Sequence, residues 1–186
     1  MSYAPAPPPT VALDARLRAR FERAAAASDA FFAAHAEAVA LACRDMASRF
    51  HRGGRLFAFG TAASASDARH VSVEFVHPVL VGKRALPALA LEDPRRELPL
   101  LGRPADVALA LEAGRADAGT RSALEGARSS GMLTLALVGG TSDAPAADHV
   151  FAVPDQDPTV VQEIHETLYH VLWELTHVFL DHEDAR

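Results

Sequence analysis

Two kinds of hydrophobic pattern divide this chain. Over residues 12–51 apolar positions recur at helical spacing: Leu13, Leu17 and Phe21, then Phe31, Phe32, Val39 and Met46. Alanine, leucine, arginine and glutamate dominate, and no glycine or proline intervenes, so the stretch predicts helix. Ser28-Asp29 is the point at which it is expected to divide in two. "HRGG" at 51–54 stops it with glycine. From residue 55 the pattern changes to short apolar runs separated by helical stretches. "RLFAFG" (55–60), "LPALAL" (86–91), "ADVALAL" (105–111), "MLTLALVG" (132–139) and "DHVFAVP" (148–154) predict five strands. "SASDARHVSVEFVHPV" from Ser64 predicts a helix with Ser64 as N-cap, stopping near Pro78. Residues 118–131, closed by Gly131, and 158–183 predict two more. Short apolar strands alternating with helices imply an α/β fold with a parallel sheet covered on both faces.

Composition narrows the class. The chain has 186 residues, 49% hydrophobic and 23% charged, enough for a single domain with a real core. No apolar run is long enough to span a bilayer. "MSYAPAPPPT" (1–10) lacks a basic region followed by an apolar one, so it does not read as a signal peptide. It reads as a Pro-rich disordered tail, with the domain over 11–186. Cys43 is the lone cysteine and lies in the apolar helical pattern, where an inert core role is expected. A single thiol and no signal peptide point to the cytoplasm. The net charge of −6 and pI near 5.8 argue against a nucleic-acid partner, which requires a basic face.

Candidate chemistry sits on two of the helices. His70 and Glu74, four apart, stack on one face. On the last helix, Gln162 and His170 are eight apart and also share a face. Four N/O donors from two helices suit a divalent metal. The same groups suit proton transfer, with a carboxylate as base and an imidazole as acid. His165, His177 and His182 lie on that last helix too, and spacing does not choose among them.

Four segments resemble phosphoheptose isomerases. "GTAASASDARHVSVEFV" is similar to their G-N-G-G-S-A-S-D-A-Q-H motif with a glutamate four residues on. "ALPALAL" resembles the strand that follows. "ARSSGMLTLALVGG" resembles A-R-x-x-G-M-x-x-I-A-L-T-G, and "VVQEIHETLYHVLWELTH" resembles the I-Q-E-x-H-x-x-x-x-H closing helix. Order and intervals agree over most of residues 12–180. The chain is thereby identified as a member of the sugar isomerase (SIS) family, in the branch of phosphoheptose isomerases and DiaA-like initiator-binding proteins. The resemblance implies a three-layer fold, a five-stranded parallel sheet flanked by helices with a long N-terminal helix, assembled as a homotetramer with active sites between subunits. It implies zinc on His70, Glu74, Gln162 and His170, with Glu74 and His170 as the acid–base pair. The implied reaction is aldose–ketose isomerisation of sedoheptulose 7-phosphate through an enediol.

The sequence departs from the family where phosphate is held. Two hydroxyl- and glycine-rich turns at helix N-termini normally form that site. In the first turn Thr61, Ser64 and Ser66 remain candidate substrate-binding residues, with Gln162, but Ala62 and Ala63 replace glycines. Alanine resists positive φ, so the turn is expected to be reshaped. In the second turn S-T-S-G-N-S has become "EAGRADAG" (112–119), which brings Glu112 and Asp117 toward the phosphate position. Arg115, Arg121, Thr120 and Ser122 are read there as an ordinary solvated loop and helix start. The link "DPRRELPLLGRPA" (93–105) stands where the family carries a helix and an Asn-Asp substrate loop, and no helix is expected in it. Two functions follow. One is a metal-binding, isomerase-like enzyme on a sugar phosphate with altered specificity. The other is a non-catalytic paralogue, a carbohydrate-derivative-binding regulator or an oligomeric protein scaffold.

Overall fold

The computed structural model describes residues 10–78, 81–140 and 143–184. The Pro-rich stretch before Thr10 lies outside them. The element order is α1 (Thr10–His51), β1 (Leu56–Gly60), α2 (Ser64–Val76), β2 (Ala88–Ala90), α3 (Pro94–Leu101), β3 (Val107–Glu112), α4 (Ala118–Ser129), β4 (Leu133–Gly139), β5 (His149–Val153) and α5 (Pro158–Asp184). All neighbouring strands pair in parallel, in the order β2-β1-β3-β4-β5. The five-stranded α/β fold read from the sequence is therefore the one observed.

The central strands β1, β3 and β4 are buried and almost wholly apolar because both faces are covered. On one face Leu56, Val107, Leu109, Leu135 and Phe151 pack against α1, α2 and α5. On the other, Phe57, Phe59, Ala108, Ala110 and Ala136 pack with Leu98 of α3 and Leu124 of α4. Full burial of such a side chain stabilises by roughly 1.5–3 kcal/mol, so each face is anchored by a few large residues and closed by alanines. The connection from β1 leads to β2 on one side, whereas β3 lies on the other. The carboxyl ends of β1 and β3 therefore flank the switch point, where open α/β sheets place their crevice. Gly60 ends β1 there. A Cβ at this position would overlap the Leu111 carbonyl oxygen, so glycine lets the two strand ends meet.

Four local expectations are corrected. First, α1 runs through Ser28-Asp29 unbroken. Neither residue costs a helix as much as 1 kcal/mol, Asp29 is solvated, and Phe31 two residues on is buried against the core. Second, Ser64 is not a cap. Ala63 precedes the helix without a side-chain cap bond, while the Ser64 hydroxyl is buried and accepts the Ala113 N–H at 3.0 Å. Third, the link after β2 does contain a helix, α3. Pro94 occupies its first position, where a missing N–H is harmless. Glu97 reaches back to accept the N–H groups of Glu92 (3.0 Å) and Asp93 (2.7 Å). Fourth, the first turn is not reshaped to spare its alanine: Ala62 adopts φ 49°, a left-handed conformation costing an L-residue roughly 1–2 kcal/mol.

The helical stripe on α1 splits into two behaviours. Phe31, Val39 and Met46 are buried with Cys43, whose thiol is pushed up to about 12 by burial. Leu13, Leu17 and Phe21 are exposed, Phe21 at 70%. The exposed part is held to the start of α5 by Arg20, which donates to Glu163 (2.6 Å) and Thr159 (3.1 Å), and by Arg23 with Asp157.

Candidate metal and acid–base site

Helix α2 buries Ala68, Val71 and Phe75. That choice of inward face turns His70 and Glu74 onto the flank that meets α5. Helix α5 buries Val161, Ile164, Leu168, Tyr169 and Leu172, which leaves Gln162 and His170 on the matching flank, with the Tyr169 hydroxyl reaching it from the core. His70 Nε2 lies 3.2 Å from Glu74 Oε1, and His170 Nε2 lies 4.0 Å from the same oxygen. The two imidazoles meet edge to face, 5.3 Å between centroids. One ligand atom from each of His70, Glu74 and His170 lies within 4.8 Å of the other two. The His70 and His170 side chains are 38% and 43% exposed and Glu74 is 16% exposed, so a small ligand can reach all three. Two imidazoles and a carboxylate fit a divalent ion of the zinc type and leave positions for water or substrate.

Gln162 is drawn to the same groove by another partner. Its amide nitrogen donates to both carboxylate oxygens of Asp67, each at 3.0 Å. Burial raises the Asp67 carboxyl above its usual range, and the Gln162 amide partly counters this. The amide oxygen of Gln162 makes none of these bonds and remains an acceptor. Tyr169 Oη sits 2.9 Å from His70 Nδ1. Burial pushes that phenol up, with Glu166, Asp67 and Glu74 adding to the effect, so it stays protonated. The pair can hold either imidazole tautomer. With Nε2 protonated toward Glu74, Tyr169 donates to Nδ1. With Nε2 deprotonated for ligation, Nδ1–H donates to the phenol oxygen.

The cluster lies away from the carboxyl ends of the strands, where open α/β sheets place their crevice. His70 and Glu74 sit six and ten residues into α2, roughly 9 and 15 Å along its axis. They line the groove between α2 and α5, with Gln162 and Asp67 nearer the strand ends. The crevice at the switch point itself is formed by the two turns. It comprises a cavity of about 110 Å³ including Thr61, Asp117 and Thr120, and an adjoining one of about 380 Å³ including Ala62, Arg69 and Glu92. Within it Thr61 Oγ1 and Thr120 Oγ1 each donate to Glu112 at 2.7 Å. Ser66 Oγ donates to the Ala63 carbonyl (2.6 Å). Arg115 pairs with Asp143 at 3.2 Å. Arg121 pairs with it at 3.0 Å and donates to the Ala116 carbonyl. Another cavity, of about 390 Å³, lies between α3 and α4, away from the histidines.

The structure also separates the histidines of α5. His177 is buried between the carbonyls of Trp173 (2.9 Å) and Arg84 (3.0 Å). His182 is exposed near the end of the helix. His165 is fully buried, and neither ring nitrogen forms a well-aligned hydrogen bond. Burial lowers it to about 4, with partial relief from the Val138 backbone. His170 alone among them joins the cluster. Sequence reasoning missed Asp67 and Tyr169. Asp67 is one helical turn before His70, and Tyr169 is the neighbour of His170, so both positions were readable as supports for the same face.

No family model matches the chain. Curated relatives do. It is 33% identical to a phosphoheptose isomerase of Solidesulfovibrio magneticus over 177 residues, covering 86% of this chain and 87% of the relative. It is 36% identical to one from Chlorobium phaeobacteroides over 154 residues, 71% and 68% of the two chains. Among solved structures, a phosphoheptose isomerase from Francisella tularensis superposes with a TM-score of 0.79 at 23% identity, covering 89% of this chain and 97% of that one. A further likeness, at TM-score 0.78 and 22% identity, is a phosphoheptose isomerase from Neisseria gonorrhoeae. These last two carry the fold. Together with the sequence relatives they place the protein in the phosphoheptose isomerase family, on the sugar isomerase (SIS) fold.

Proposed function

We propose that the protein is a metal-binding aldose–ketose isomerase of the phosphoheptose isomerase type. The observation that carries this reading is Glu74 Oε1 standing 3.2 Å from His70 and 4.0 Å from His170, partly open to solvent. His70, Glu74 and His170 would hold the ion, and the amide oxygen of Gln162 would complete the set. Zinc is the first candidate, and when bound it would polarise the oxygens of a carbonyl and its neighbouring hydroxyl. Glu74 removes the proton on the carbon next to the carbonyl, and His170 delivers a proton to oxygen or receives one from it. Returning the proton to the other carbon completes the interchange of aldose and ketose. Tyr169 fixes the His70 ring through Nδ1, and Asp67 fixes the Gln162 amide.

The exposed Leu13, Leu17 and Phe21 on α1 support assembly into a homotetramer, since apolar surface of this kind is ordinarily covered by another subunit. A cytoplasmic place suits a chain with one buried thiol. The second reading, a non-catalytic regulator or scaffold, is favoured by the internal bonding of Thr61 and Thr120 to Glu112 in the turns. Zinc analysis of the purified protein together with an isomerase assay separates the two. The proposal expects about one zinc per chain and zinc-dependent interconversion. Protein that binds no zinc and interconverts no sugar belongs to the second reading.

A further inference from the structure

We infer that Glu112 closes the anion-binding end of the crevice, so that the substrate is a free polyhydroxy aldehyde or ketone rather than a phosphate ester. The inference rests on the proposed isomerase reading for its reaction and names the substrate class of that same site.

Helices α2 and α4 both begin at the carboxyl ends of the strands flanking the switch point. Two converging helix N-termini attract an anion. In this chain the anion is its own. Glu112, the last residue of β3, is only 5% exposed and takes the hydroxyl protons of Thr61 and Thr120, one on each carboxylate oxygen. A hydroxyl has a single proton to donate, so neither is left for a ligand oxygen.

Several of the backbone donors are engaged as well. The N–H groups of Ser64, Ala65 and Ser66 bond the carbonyls of Thr61, Ala62 and Ala63. The Thr120 N–H bonds Asp117, and the Ala113 N–H bonds the Ser64 hydroxyl. Charge points the same way. Arg115 and Arg121 are turned to Asp143. The crevice lining adds Glu92, Asp93 and Asp117 against the exposed Arg95 and Arg69, and Arg69 is 3.9 Å from Glu92. A phosphate entering this end meets a fixed carboxylate and like charge around it. A sugar hydroxyl meets carboxylate acceptors instead.

The test is calorimetric titration of inorganic phosphate into the full chain, the wild type beside Glu112→Ser and Glu112→Gln. The wild type is expected to show no binding at millimolar phosphate, and Glu112→Ser to bind at least about tenfold tighter. Wild-type binding below about 1 mM overturns the inference. So does a folded Glu112→Ser that gains nothing, because Glu112 is then not what excludes the anion. Should that variant fail to fold, the wild type is titrated with a free ketoheptose and with its terminal phosphate ester. Equal or weaker binding of the ester is expected, and a tenfold preference for it counts against Glu112. Zinc titration of the same samples reads the isomerase proposal separately. Absent zinc binding removes the metal reading while leaving the phosphate result to stand.

Discussion

The groove between α2 and α5 and the crevice between the β1 and β3 turns are both polar, but they differ in what their groups have left to give. In the groove, His70, Glu74 and His170 are partly exposed and share one oxygen at 3.2 and 4.0 Å, a spacing that leaves ligand positions open. In the crevice, Thr61, Thr120, Ser64 and Glu112 are bonded to one another or to nearby backbone. Chemistry needs groups with unused capacity, and a fold is stabilised by groups without it. The first region therefore reads as a site, and the second as structure.

The largest expected effect falls on the groove. Glu74→Gln keeps the shape but removes both the anionic ligand and the base. Turnover should fall by about 10²–10⁴-fold and zinc affinity should drop with it, with the thermal midpoint of the metal-free protein little changed. Zinc affinity equal to wild type would take Glu74 out of the site. A second test divides α5 itself. His165, held at about 4 by burial, lies below the ordinary histidine value of about 6.5. Between those values the unfolded chain binds a proton that the native protein refuses, so stability falls as pH drops. The loss should reach on the order of 3 kcal/mol by pH 4. Denaturant melts of His165→Leu across that range should lack this slope. An unchanged slope would place the titrating group elsewhere.

On the crevice side, Thr120→Val withdraws one donor from the buried Glu112. Urea unfolding should show a loss of about 1–3 kcal/mol while zinc affinity stays at the wild-type level. A fall in zinc affinity would mean that the two regions are coupled. The smallest effect is at the first turn. Ala62→Gly relieves the left-handed conformation and should stabilise by up to about 1 kcal/mol, less what the freer unfolded chain takes back. Destabilisation would show that the Ala62 methyl packs usefully.

Much of the fold was legible because its elements obey local rules. The β1, β3 and β4 runs are apolar at nearly every position, as strands buried on both faces tend to be, with Glu112 and Thr134 the polar exceptions, and the helices carry their periodicity openly. Helix α3 was hidden because its eight residues, with prolines at 94 and 99, carry no helical signal strong enough to stand out locally. Pro94 proved to sit where proline starts a helix, and Leu98 made the stretch worth burying. The unbroken course of α1 was hidden for the opposite reason: Ser28-Asp29 is a weak local signal that the core contact of Phe31 overrides. At the site, spacing paired His70 with Glu74 and Gln162 with His170. It could not show that Asp67 holds Gln162 or that Glu112 holds Thr61 and Thr120. Those partners are 95, 51 and 8 residues apart; the first two meet only through the sheet topology, and the third across the turn from β3 to α4.

The central claim is that the acid–base groove is retained while the anion cradle is closed. Its most direct measurement is isomerisation by the zinc-loaded protein of a free ketoheptose and of its terminal phosphate ester, compared as kcat/KM. The account predicts zinc-dependent turnover with the free sugar used at least as well as the ester. A tenfold or greater preference for the ester, or no turnover of either, would contradict it.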